Sequence, residues 1–213
     1  MLYCYVPFND PDLITGANNY IEATPRPAAA GPKVRIRGTD SANLNDLGAA
    51  DTLHILAHGR ESRGDQVAGM VDGYLWGKRM ATMTAPELAA ALRADGLALS
   101  VGDVRLMVCW GGYVGGNQDW NGEGTLKRNA GKAPFAGQLC SALKSLGYYR
   151  MVVTGYRGSV LFSTNHMKVS SVYVRDHKND LMDKNSQPLS APLTAATLDN
   201  TLTLNTASRT VWY

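Results

Sequence analysis

Two reactive side chains stand at matching places in this sequence. His58 closes the apolar run LHILA and is followed at once by Gly59, while Cys109 closes the run VRLMV and is followed by Trp110, Gly111 and Gly112. A cysteine attacks best as its thiolate, and a nearby imidazole favours that form or carries the proton to a leaving group. The glycine beside the histidine lets the backbone approach a substrate carbonyl. The N–H groups of Gly59 and Cys109 can then form an oxyanion hole, worth about 3–4 kcal/mol per donor in known cases. Taken singly, each residue has a plainer reading: a satisfied histidine at a strand end, and one more buried cysteine. Taken together they point to nucleophilic catalysis, with Cys109 as nucleophile and His58 as acid and base.

That chemistry needs both runs to be neighbouring parallel strands, so that both residues reach one edge of a sheet, where open α/β folds bind their ligands. The intervening chain can supply the crossover. Thr84 to Asp95 (TAPELAAALRAD) carries a Thr84/Glu87 capping box, Pro86 in the first turn, Gly96 as its stop and Leu88 and Leu92 on one face. A right-handed crossover through such a helix makes the flanking strands parallel neighbours. Between His58 and that helix, Asp72-Gly73 sits between apolar arms in VAGMVDGYLW and predicts a hairpin over Val67 to Trp76. Elsewhere, Leu2 to Val6, Lys33 to Arg37 (an edge strand or hairpin arm), Thr52 to Ala57, Val104 to Val108 and Met151 to Thr154 read as strands. Val160 to Phe162, Val169 to Val174 and parts of Leu198 to Tyr213 read as further strands. Pro134 to Leu146 is a helix with Phe135, Leu139, Leu143 and Leu146 on one stripe and Cys140 in the core. Asp40 to Ala50 is expected to be a short helix capped by Asp40 or Ser41. Asn9 to Pro32, Trp110 to Gly124 and Asp176 to Ser190 are expected to be loops. Strands alternating with helices give an α/β sandwich around a mainly parallel sheet.

A strand ending in His-Gly, followed about 50 residues later by a strand ending in Cys, resembles the caspase-like (clan CD) cysteine peptidases. LHILAHGRE, MTAPELAAAL and VRLMVCWGG together are similar to the bacterial CHAT-type members and share the logic of toxin-processing cysteine protease domains. The likeness spans residues 40 to 115, and the order, His before Cys, is not that of papain. It implies a caspase-like three-layer α/β/α sandwich with a mainly parallel central sheet and added β-hairpins. It also implies a Cys-His dyad with no required third residue, and a protein or peptide substrate cleaved through an acyl-enzyme. The turn after the third core strand helps to form the S1 side in such folds, which makes Tyr156 and Arg157 substrate-contact candidates, with Met107, Trp110 and Gly111 around the nucleophile. Met107 stands where metacaspases place an acid, so no preference for a basic P1 residue is implied, and no arginine pocket for Asp is matched. A small or apolar P1 residue is the expectation. A cognate inhibitor or activator is an implied partner, and a bacterial effector or toxin the implied context.

One domain over residues 1–213 is expected, with the motif core at about 40–165 and a C-terminal extension over 176–213. With 45% hydrophobic and 18% charged residues, the 213-residue chain can bury a sizeable core. A net charge of +3 without a dense basic run argues against nucleic acid and anionic membranes as partners. Three cysteines are too few and too odd in number for a disulfide framework. No basic-then-apolar leader opens the chain, and no run approaches the roughly 20 apolar residues of a span. These features predict a soluble protein, cytoplasmic or delivered into a target cell by a signal-less route. His54 and His58 are four apart, but Ile55 and Leu56 replace the general-base Glu of a metalloprotease motif, so no metal is expected. His166 and His177 read as exposed. No phosphate-binding loop, dinucleotide fingerprint or G-x-S-x-G elbow is present, so no cofactor is expected. Two alternatives remain: a non-catalytic caspase-like binding or regulatory module, and a cysteine-dependent acyl transferase or amidase.

Overall fold

Strand β1 (Leu2–Val6) is buried at almost every position, because it lies inside a sheet with strands on both sides. The computed structural model describes residues 1–23, 33–60, 63–73, 77–109, 111, 133–156, 159–162, 172–175 and 209–212. Parallel to β1 run β2 (Val34–Ile36) on one side and β3 (Thr52–Arg60) on the other. Next come β6 (Asp103–Val108) and β7 (Val152–Tyr156), also parallel, and β10 (Arg209–Trp212), antiparallel to β7, closes that edge. The order β10-β7-β6-β3-β1-β2 is therefore that of a mostly parallel α/β sheet, compatible with a three-layer fold. Both faces are covered, which explains the near-continuous apolar runs of β3 and β6. Tyr3, Tyr5, Leu53, Ile55, Ala57, Val104, Leu106 and Val108 pack under helices α2 (Ala85–Ala94) and α3 (Phe135–Ser145). Cys4, Val6, Leu56, Met107 and Tyr156 pack with Leu13, Ala17, Tyr20 and Ile21 of helix α1 (Pro11–Ala23) on the other face.

Helix α1 falls where a loop was expected. Thr15, Gly16, Asn18 and Asn19 are poor helix formers. The start signal outweighs them: Asp10 is the N-cap, accepting from the N–H groups of Asp12 at 3.0 Å and Leu13 at 3.4 Å, and Pro11 takes the first helical position. Leu13, Ala17, Tyr20 and Ile21 then form one stripe that the sheet buries. The reverse correction applies to Asp40–Ala50, which holds only a 3-10 turn, Asp40–Ala42, capped by Thr39. Asn43 ends it, its side chain accepting the Asn45 N–H at 2.8 Å, the local bond by which Asn competes with helix. The capping box of α2 forms as expected, the Thr84 N–H and hydroxyl both donating to Glu87 Oε2 at 2.7 and 2.8 Å. Leu88 and Leu92 are fully buried, and Leu92→Ala should lower stability by about 2–5 kcal/mol in urea titration.

Two boundaries matter for the site. The chain does not break at His58: β3 runs on to Arg60, leaving β6 after Ala57 and pairing from His58 with β4 (Arg63–Asp72), with a bulge between His58 and Arg60. A hairpin forms here, but Asp72 is not in its turn: Asp72 is the last residue of β4 and pairs with Lys78 of β5 (Lys78–Thr84). The Gly73 N–H donates to the Gly77 carbonyl at 2.6 Å, while the expected arm residues 74–76 lie outside the described residues. Strands β8 (Ser159–Phe162) and β9 (Val172–Arg175) form a separate antiparallel pair. The expected loops over Trp110–Gly124 and Asp176–Ser190 lie outside the described residues, Gly111 excepted.

Candidate active site

Four chain segments leave the carboxyl ends of four adjacent strands and meet at one edge of the sheet. They carry Asp10 after β1, His58 on β3, Cys109 after β6 and Val160 after β7. From β1 the chain passes to α1 on one face; from β3 it passes, through the β4–β5 hairpin, to α2 on the other. Strands whose connections part to opposite faces open a crevice at their carboxyl ends, the general ligand position of open α/β sheets. Asp10 and His58 stand at that switch point, and Cys109 follows the next strand over.

The β3–β6 register ends at Ala57 opposite Val108, so the following residues, His58 and Cys109, stand at equivalent places on neighbouring strands. Their alternation puts them with Leu56 and Met107 on the α1 face. His58 is half exposed, and its Nε2 lies 3.3 Å from Oδ2 of Asp10, which is 1% exposed. Burial opposes ionisation of Asp10. N–H bonds from Met70, Leu13 and Asp12 outweigh it, so the carboxyl sits below the usual carboxylate range.

Cys109 is the partly exposed thiol, whereas Cys4 and Cys140 are buried and burial pushes both of their thiols upward. The Cys109 Sγ accepts the Val160 N–H at 3.2 Å and lies 3.5 Å from the Val160 carbonyl, so β8 covers the sulfur with its backbone. Gly59 comes so close to Cys109 that a Cβ there would overlap the Cys109 carbonyl oxygen and lie 2.8 Å from Val108 Cγ1. The Gly59 backbone is thereby held beside that of Cys109.

The other candidates are placed differently. Met107 and Tyr156 are buried at 1% and 0% exposure in the core beneath α1, not on an open groove. Gly111 is buried too, and its backbone is used internally: its N–H donates to the Val108 carbonyl at 3.1 Å and its carbonyl accepts the Ala136 N–H at 2.9 Å, in the first turn of α3. Trp110, Arg157, His166 and His177 lie outside the described residues. His54 is 1% exposed and stacked on Tyr20 with ring centroids 5.3 Å apart. Burial, helped by Arg105, pushes its pKa down to about 3. Among the described residues no cluster of three or more His, Cys, Asp or Glu has the arrangement of a metal site, and no helix is long and apolar enough to cross a membrane.

Asp10 was missed because α1 was missed. An Asp-Pro pair just beyond a strand is a helix-start signal, and a helix starting there puts its cap at the carboxyl end of β1. The contact of Val160 is made by its backbone, which leaves no mark in residue types. Compared with models of known protein families and with curated proteins, the chain matches none.

Proposed function

We propose that the chain is a caspase-like cysteine peptidase, similar to CHAT-type domains, that cleaves a peptide bond through Cys109 and His58. The observation that carries this reading is the β3–β6 register, with imidazole and thiol following equivalent residues at the carboxyl edge of adjacent parallel strands. In the proposed cycle His58 takes the thiol proton and Sγ attacks the scissile carbonyl carbon. The amides of Gly59 and Cys109 face the oxyanion. His58 gives its proton to the departing amine, leaving a thioester. His58 then takes a proton from water, the hydroxide adds to the thioester, and its collapse releases the acid and restores the thiol. A substrate must first replace the Val160 backbone at the sulfur.

Iodoacetamide labelling followed by mass spectrometry tests the dyad. Cys109 should label much faster than buried Cys4 and Cys140, and His58→Ala should slow it. A peptide library then separates hydrolysis from acyl transfer to an added amine. The two hydrogen bonds between Cys109 and Val160, the Val160 N–H donating to the sulfur and the thiol to the Val160 carbonyl, favour a second reading, a binding or regulatory module in which the thiol is structural. Equal, slow labelling of all three cysteines would establish that reading and end the first.

A further inference from the structure

We infer that Asp10 is the positioning residue of His58, so that the site works as Cys109, His58 and a buried carboxylate delivered by the first helix. This rests on the cysteine-peptidase reading and adds to it a residue from outside the two strands. The two oxygens of Asp10 have separate tasks. Oδ1 caps α1, accepting the Asp12 N–H at 3.0 Å and the Leu13 N–H at 3.4 Å. Oδ2 accepts the Met70 N–H of β4 at 2.7 Å and lies 3.3 Å from His58 Nε2. A helix cap needs only the first oxygen, and the second is turned to the imidazole.

The carboxylate is therefore fixed from two elements, the start of α1 and the β4 hairpin arm, and is removed from water. A carboxylate beside Nε2 selects the tautomer that carries its proton there. Nδ1 is then left with its lone pair for the proton of the Cys109 thiol. The same negative charge stabilises the imidazolium formed when that proton arrives. Strand β3 leaves the β6 ladder after Ala57 and pairs from His58 with the hairpin, on which Met70 shares Oδ2 with the histidine.

The test compares the full chain with Asp10→Asn, His58→Ala and the double variant, measuring the Cys109 alkylation rate by iodoacetamide, and kcat and KM on a cleaved peptide. Asn keeps an oxygen for the helix cap; Asp10→Ser, which keeps the cap alone, replaces it if the Asn variant fails to fold by circular dichroism. Asp10→Asn should slow alkylation and kcat by about tenfold or more, as loss of a histidine-orienting carboxylate does, with KM little changed. In the His58→Ala background it should cost nothing further, since Asp10 acts only through His58. Alkylation at the parent rate in Asp10→Asn, or an equal loss in the His58→Ala background, overturns the inference and leaves the dyad standing. Parent-rate alkylation in His58→Ala itself removes the dyad, and the inference with it.

Discussion

Gly59→Ala is expected to destabilise the fold by about 2–4 kcal/mol and to abolish the fast labelling proposed for Cys109, although it adds a single methyl group. The added carbon would overlap the Cys109 carbonyl oxygen, and would lie 2.8 Å from Val108 Cγ1 and 3.0 Å from the Cys109 carbonyl carbon. Two of these three atoms are backbone, so no rotamer change makes room. The strand ends must separate, and this moves the thiol away from the imidazole. Gly102→Ala is the control: the nearest atom to its Cβ, the Arg150 carbonyl oxygen, lies 3.8 Å away, an ordinary contact. Urea titration of both variants, with iodoacetamide labelling of each, checks the claim; equal stability would show that the approach of β3 to Cys109 is not as described. The residues suggested that Gly59 serves the approach of a substrate. Its first requirement is the approach of two strands, Gly59 lying against the Cys109 carbonyl.

The second large effect is acid sensitivity centred on His54. Its ring is buried against Tyr20, and neither nitrogen has a hydrogen-bond partner among the described residues. In the folded chain the imidazole stays neutral down to about pH 3, whereas in the unfolded chain it takes up a proton near pH 6.5. The unfolded state thus binds more protons below pH 6.5. The stability associated with this group is complete above that pH and declines as the pH falls towards 3. At pH 5 the loss amounts to about 2 kcal/mol, taking 1.36 kcal/mol per pH unit. His54→Phe keeps a ring for Tyr20 and has nothing to protonate. The variant should gain about 2 kcal/mol over the parent on going from pH 7.5 to pH 5, by urea titration at both values. It should be no less stable than the parent at pH 7.5, since it also removes two unpaired buried nitrogens. A stability difference that does not change between the two pH values would place the acid-labile group elsewhere. Because Tyr20 belongs to α1 and Asp10 caps that helix, this proton also bears on the element whose N-cap lies beside His58.

The residues alone determined the elements with strong local signals. The apolar runs of β3 and β6, the capping box and leucine stripe of α2, and the Phe135–Leu143 stripe of α3 each carry a period or a cap that survives any context. They also suggested the parallel pairing of β3 with β6, since one helix between two buried strands leaves little other choice. Helix α1 was not legible by propensity, because its Gly and Asn residues count against it and its stability comes from the Asp10 cap and from burial on the sheet. The return arm β5 was hidden because its residues alternate weakly, and pairing with β4 decides their place. Candidate substrate contacts were assigned by position along the chain. Burial of Met107 and Tyr156 is a property of the face they point to, which depends on the register of strands far apart in sequence. For the same reason His58 and Cys109 could be named from their types and neighbours, whereas Asp10 and the Val160 backbone could not. Their contacts join residues about 50 apart in the chain, which only the ordering of β1, β3, β6 and β7 side by side brings to one edge.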